Sequence, residues 1–453
     1  MKRRYWLLAV ILLLALFLRW WQLEEWFHFT MDEELIAWRA WGLFELKRPF
    51  LIGGISPLQI HLPPYFYYFS ALLLWPFQFD PIGWGWWAGI FSLVTIYWLY
   101  RYSRSLTATL LYTVSWAVVA FDHHYWPLFF NPLFTLLLLW FLKQKNNLGL
   151  ILTLVLAVTA DPSNLTLGLF VLLYRPRALK YWWLGAGIFL APLLAFDLRH
   201  NWQNLAGIGR LLTNVAGKEP NWQALLLLPQ SLSRFWYTAQ TNLIEIYSYC
   251  IPYAQARLAV NPWLLIAAIV VTLLSWKQRE IRLLLIAYFI GIGLFGLMGF
   301  SLFDHYLTGL MPVWAMATAL VIKRLPKLFG TAVIIVFLAV NLYQFSRATN
   351  PYGLTNKKEL IKWANQYLAG SNWDLESESK CHRENGLRYL FELSGNPPAK
   401  SFMDDNFSWL YPQPSIEGTV DKILLVTDRQ ESSGFEVQAE KTFGAITGYI
   451  FKP

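Results

Sequence analysis

The sequence predicts an all-α polytopic membrane protein with a small water-soluble α/β unit at its C-terminal end. Three observations carry this reading. The 453 residues are 56% hydrophobic and only 14% charged, where soluble domains carry about 25% charged residues. Long apolar runs alternate with short polar or basic connectors, and from about residue 350 the composition turns polar and amphipathic. The formal charge of +9 sits in short clusters between apolar runs, the pattern of membrane topology signals rather than of a nucleic-acid surface. Nucleic acid is therefore excluded as a partner. The two cysteines, Cys250 and Cys381, form neither a zinc pattern nor a disulfide framework.

The first element is an apolar helix behind Lys2-Arg3-Arg4. Arg19-Trp20-Trp21 follows it with no small-residue cleavage site, so it reads as a retained helix with a cytoplasmic N-terminus. Further apolar runs cover 63–79, 82–100, 106–121, 127–142, 147–160, 163–174, 182–197, 261–276, 282–300, 305–322 and 329–346. Basic connectors hold Arg101 and Arg104, Lys143 and Lys145, Arg175, Arg177 and Lys180, Lys277, Arg279 and Arg282, and Lys323, Arg324 and Lys327. Acids, amides and histidines fill the others: Asp122-His123-His124, Asp161-Pro-Ser-Asn164, Asp197-Leu-Arg-His200 and Asp304-His305. All the basic connectors fall on the cytoplasmic side only if run 63–79 is interfacial or re-entrant. About eleven crossings of roughly 20 residues then remain, and the C-terminus lies outside. The expected organisation is a membrane domain over 1–349, with outer loops 23–81 and 198–260, and an extracytoplasmic α/β domain over 350–453. The loop 198–260 holds amphipathic stretches with Trp202, Trp222, Phe235 and Trp236, suited to lie in the interface plane. In the C-terminal domain, Lys357–Leu368 and Glu384–Leu393 read as helices, and Lys422–Thr427 and Ala445–Phe451 as strands. Cys250 and Cys381 share the outer side in this topology, which leaves a disulfide between them open.

The chemistry-bearing residues gather in the outer connectors. Asp32-Glu33-Glu34 follows the first helix; such acids can serve as general base or metal ligands, and the plain alternative is a solvated helix start. His123-His124 stand beside Asp122, but adjacent helical histidines diverge by about 100° and rarely share one ion. One of them is expected to donate to a substrate phosphate or sugar. Asp161-Pro-Ser-Asn and Asp304-His305 read as helix-capping turns. The aromatic run from Tyr65 to Phe69 suits either a lipid groove or an interfacial belt.

Arg19, then Asp32-Glu33, then His61-Leu-Pro-Pro-Tyr-Phe-Tyr-Tyr68 carry a likeness to a known family. In this order the chain resembles the GT-C superfamily of glycosyltransferases that use polyprenyl-phosphate sugars. Within it the chain is similar to glycosyltransferase family 39, which includes protein O-mannosyltransferases and the aminoarabinose transferases of lipid A. The run Pro192-Leu-Leu-Ala-Phe-Asp-Leu-Arg-His200 also looks like the end of the seventh helix in bacterial members. Asp122 stands where the family has a second outer acid, but the surrounding Ser-Arg-x-x-Arg-x-Asp pattern is replaced by Phe-Asp-His-His-Tyr-Trp. The Arg common before the second helix is absent from Ile82–Phe91.

The resemblance implies an inverting sugar transfer from a polyprenyl-phosphate donor to a lipid, glycan or protein acceptor, at the outer face of a cell inner or plasma membrane. It implies Asp32, Glu33 and Asp122 as catalytic residues. Arg19, His61, Tyr65, His123, His124, Arg199 and His200 are the expected contacts to substrate, and a divalent metal ion is left open. Ionisable groups at membrane depth are costly and tend to be functional. A flippase of lipid-linked saccharides is the rival from another class, disfavoured by the absence of an internal repeat and by polar residues clustering at one face. A non-catalytic assembly scaffold is the third reading.

Overall fold

The computed structural model describes residues 2–56, 60–215, 218–243, 261–299, 303–378, 385–413, 418–428 and 436–453. Cys250 and Cys381 lie outside them. The first helix, α1, spans Lys2–Trp20, about 28 Å at 1.5 Å per residue. Two shorter helices follow, α2 (Leu23–Trp26) and α3 (Met31–Phe44). Next comes α4 (Tyr65–Leu74), ten residues that run on into a 3-10 turn at Trp75–Phe77. This is the run expected to be re-entrant or interfacial.

The long α5 (Ile82–Ser103) precedes α6 (Leu106–Val114) and α7 (Trp116–Asp122), a single rod broken at Ser115. At the break the Trp116 N–H donates to Asn341 Oδ1 at 2.7 Å, and the Ser115 hydroxyl donates to the Phe235 carbonyl at 2.7 Å. Neighbouring chain thus satisfies the interrupted ladder. Then come α8 (Asn131–Gln144), α9 (Asn147–Ala160), α10 (Leu165–Tyr174) and α11 (Trp182–Asp197). The amphipathic α12 (Gln203–Val215) and α13 (Leu227–Trp236) fall in the connection after α11. The last rods are α14 (Pro262–Ser275), α15 (Arg279–Leu297), α16 (Met311–Arg324), entered through a 3-10 segment at Asp304–Leu310, and α17 (Lys327–Ser346).

Among the described residues, five segments are long and apolar enough to cross a membrane: Ile82–Ser103, Pro127–Gln144, Arg279–Leu297, Asp304–Arg324 and Lys327–Ser346. Four shorter apolar helices cover Asn147–Ala160, Pro162–Tyr174, Trp182–Asp197 and Pro262–Ser275. With α1 and the broken α6–α7 rod they make eleven apolar rods among the described residues. Leu328, Phe329, Ile335 and Val336 stand exposed along α17, an apolar surface that calls for lipid rather than water.

The C-terminal unit opens with α18 (Leu354–Leu368), followed by β1 (Trp373–Ser377), α19 (Leu387–Leu393), β2 (Lys400–Ser401), α20 (Asp404–Phe407), β3 (Lys422–Thr427), β4 (Val437–Phe443) and β5 (Ile446–Phe451). The strand order is β2-β1-β3-β5-β4, with β1 parallel to β2 and β3 and β5 antiparallel to β3 and β4. The expected helix at 384–393 begins at Leu387, and β1, β2 and β4 are strands that the sequence pattern does not announce. One hydrophobic cluster runs from α1 through the membrane rods into β3 and β5. The Trp38 ring meets Tyr389 edge-on at 5.0 Å and Tyr411 at 4.9 Å, so the main core of the C-terminal unit is continuous with that of the membrane part.

Candidate active site

Helix α3 sets the first carboxylates. Thr30 caps it in a capping box, and buried Glu33 accepts from the Thr30 N–H at 2.9 Å and from its hydroxyl at 3.0 Å. Such a box fixes the start of the helix. Glu33 also pairs with His124 Nε2. Glu34, one residue on, is wholly buried and accepts from the N–H groups of Gly386 at 2.8 Å and Tyr389 at 3.1 Å. The third acid therefore docks the C-terminal unit. Gly386 is needed there: its φ is +94°, and a Cβ would lie 2.6 Å from the Phe29 ring. Of the three acids, only Asp32 is exposed.

Asp32 opens into a cavity of about 510 Å³ that also receives Gly54, Tyr67, Trp126, Asp161, His305 and Tyr306. Protein surrounds the carboxyl even though the cavity reaches it. Burial first, and the neighbouring Glu33 charge second, push Asp32 up to about 7. Asp161 is pushed up to about 6, mainly by burial and in part by Asp32. Its carboxylate accepts from the Ser163 N–H at 2.8 Å, so the expected capping role holds, yet the same side chain lines the cavity. On the opposite wall the Gly54 N–H donates to the Tyr67 hydroxyl at 2.9 Å. A Cβ on Gly54 would lie 2.6 Å from that oxygen, so this approach requires glycine. An aromatic wall joins His124, stacked on Trp126 at 4.4 Å, to His305, whose ring centroid lies 4.8 Å from that of Trp126.

Next to this cavity runs an apolar groove of about 510 Å³ between α9, α10, α11 and α12. Leu62 and Pro162 line both spaces. His61 stands at the groove, its backbone N–H and its Nδ1 at 2.8 and 2.9 Å from the single oxygen Asn204 Oδ1. An amide oxygen only accepts, so Nδ1 carries the proton. Burial holds His61 below the usual imidazole range. The Tyr65 hydroxyl donates to the Ile188 carbonyl at 2.7 Å, fastening α4 to α11. Arg199 and His200 are exposed on the turn after α11, with His200 stacked on Phe196 at 4.1 Å.

The remaining expected residues are placed elsewhere. Arg19 and Asp122 pair with each other, both buried: Arg19 Nε and Nη2 each lie 2.9 Å from Asp122 Oδ2, and the Ser92 hydroxyl donates to the same oxygen at 2.6 Å. Neither lines the cavity of Asp32. His123 is buried with Nδ1 against the Val119 carbonyl at 2.8 Å. Asp304, expected as a cap, pairs with Arg234. No three His, Cys, Asp or Glu side chains converge as a metal site among the described residues. Glu33 is engaged by Thr30 and His124, and Asp122 by Arg19 and Ser92. Glu33 and Asp122 are therefore held by protein partners, while Asp161 and His305 share the cavity of Asp32. Sequence reasoning missed Asp161, Trp126, His305 and Tyr306 as cavity residues; their shared signal is that all sit in the acid-, amide- and histidine-bearing connectors or at the first turn beyond them.

No protein-family model and no curated protein matches this chain. Among solved structures, the crystal structure of ArnT from Cupriavidus metallidurans bound to undecaprenyl phosphate is similar, with a TM-score of 0.59 at 10% identity, over 98% of this chain and 97% of that one. With the rods, the short α4 and the C-terminal sheet in place, that likeness gives the chain the GT-C fold.

Proposed function

We propose that this protein is a membrane glycosyltransferase that moves a sugar from a polyprenyl-phosphate donor to an acceptor hydroxyl at the extracytoplasmic face, with inversion. The observation that carries the reading is a carboxylate-bearing cavity, which Asp32 shares with Asp161 and His305, adjoining a groove lined almost wholly by apolar side chains. A lipid-linked sugar has the same division, an apolar tail and a polar reacting end. A similar fold has been crystallised with undecaprenyl phosphate, which supports a donor of this class.

In the proposed step the Asp32 carboxylate takes the proton of the acceptor hydroxyl as its oxygen attacks the anomeric carbon. The bond from that carbon to the phosphate oxygen breaks, and polyprenyl phosphate leaves with the electron pair. Attack opposite the leaving group inverts the centre. A base held near pH 7 combines availability with proton affinity. His61, Arg199 and His200 near the groove are the groups proposed to meet the phosphate charge, as positioned donors do for a leaving oxyanion. Glu33 holds the helix start on which Asp32 sits.

The test is turnover of a short-chain polyprenyl-phosphate sugar by purified protein, with an envelope lipid extract as acceptor and released polyprenyl phosphate as readout. Asp32→Asn should lower turnover by about 10²–10⁴-fold with donor binding retained. A ratio within a few-fold of one would end the base assignment. A flippase would move the donor and release no polyprenyl phosphate, and a scaffold would leave the Asp32-Glu33 pair dispensable.

A further inference from the structure

A second cavity lies at the other end of the same helices. Along the segment Asp304–Arg324, Tyr306 faces the Asp32 cavity and Lys323 the second one. Seventeen helical residues separate them, on the order of 25 Å, close to the thickness of a bilayer's apolar core. The second cavity, about 390 Å³, sits among the α5–α6 turn, α8, α15 and α16. Its depth is apolar, with Leu139, Leu284 and Met316, and its rim is polar, with Arg104, Glu280 and Lys323. The rim's two cations outnumber its single acid. The Tyr174 hydroxyl donates to Glu280 Oε1 at 3.3 Å, and Lys143 Nζ lies 5.7 Å from the centre of the rim's Tyr102 ring. Arg101, Lys277 and Arg324 are the chain neighbours of the cavity's lining residues Tyr102, Gln278 and Lys323.

We propose that this cavity binds one anionic glycerophospholipid, its phosphate between Arg104 and Lys323 and its acyl chains along the apolar depth. The gradient from cationic rim to apolar floor, at the level where helices leave the bilayer, matches such a molecule from head to tail. Basic pockets between membrane helices hold anionic headgroups for the same electrostatic reason. The site lies across the membrane from the proposed chemistry, so it serves the helix ends and not the sugar transfer.

The experiment is native mass spectrometry of the delipidated full-length protein in detergent, titrated with phosphatidylglycerol, with phosphatidylcholine of the same chains, and with inorganic phosphate. One phosphatidylglycerol should bind in preference to phosphatidylcholine and should stay bound in millimolar phosphate. The double variant R104Q/K323Q should weaken it by roughly thirtyfold, about fivefold for each cation. The double variant K277Q/R324Q, on the same face but off the rim, should change it little. Leu320→Trp, which fills the apolar side of the cavity, should lose the lipid while keeping the rim charges, and so covers the case in which the charge variant fails to fold. Equal binding of the two lipids, equal effects of the two double variants, displacement by phosphate, or full retention in Leu320→Trp would each overturn the proposal.

Discussion

Asp32 carries opposite consequences for activity and stability. Its folded-state pKa of about 7 stands above the ordinary 3.8, so between those values the folded protein holds a proton that the unfolded chain has released. Stability therefore falls as pH rises through this window, and the penalty is complete above about pH 7. Turnover runs the other way, falling about tenfold per pH unit below 7 as the base is protonated. Asparagine mimics the protonated form. Asp32→Asn should melt above wild type at pH 8 and level with it near pH 4, read by scanning fluorimetry. A gap independent of pH would contradict a carboxyl that titrates near 7 in the folded protein. Asp122 is the counter-case. Removing its charge strands the buried Arg19 guanidinium, a loss of about 3–5 kcal/mol for a broken buried pair. Asp122→Asn should lower the melting point and the yield, with turnover per folded molecule within a few-fold of wild type. Intact melting with a hundredfold loss of turnover would assign Asp122 a catalytic role.

Helices that cross lipid are decided by their hydrogen bonds as much as by their apolar content. Asn341 sits in the apolar α17, and a hydropathy argument favours leucine there. Yet it is 2% exposed, accepts from the Trp116 N–H, and donates to the carbonyls of Trp236 at 3.1 Å and Phe337 at 2.9 Å. Asn341→Leu should destabilise the protein by about 1–3 kcal/mol for the groups left unpaired, seen as a lower melting midpoint in detergent; an unchanged or higher midpoint would refute the bridging role. The rods themselves were legible in the sequence, because runs near 20 apolar residues have few alternatives and the basic connectors mark one end of them. The break at Ser115 was not, since nothing local in Val114-Ser115-Trp116 announces it; its partners lie more than a hundred residues away. The strands β1 and β4 escaped for another reason. Trp373–Ser377 is only five residues long, and Val437–Phe443 is a mostly exposed edge strand with few apolar residues to give a period. Asp161 was legible as a cap but not as a cavity wall, because one side chain does both and the sequence records only the local role.

At the scale of the whole molecule, the C-terminal unit is fastened to the helix that carries Asp32. Glu34 accepts two N–H groups of the 386–389 turn, and the buried Lys357 ammonium donates to the carbonyls of Phe29 and Asn385 at 2.6 Å each. Lys358 adds ion pairs to Glu24 at 2.6 Å and Asp80 at 2.7 Å, which are partly exposed and contribute less. The docking therefore rests on the buried pair of anchors, and each anchors backbone groups that no water can reach. Glu34→Gln keeps shape but replaces one accepting oxygen with a donor facing another donor. The cost should be about 1–3 kcal/mol for a buried N–H left unsatisfied. Because Glu34 and Asp32 share the first turn of α3, loosening the dock should also disorder the base. The expected result is faster tryptic cleavage around Arg347, between α17 and α18, together with a lower kcat and a donor KM within about twofold, since the groove between α9 and α12 is untouched. Lys358→Gln should leave cleavage and kcat near wild type. If Glu34→Gln cleaves no faster than wild type, or if Lys358→Gln matches its effect, the buried anchors do not hold the two parts together.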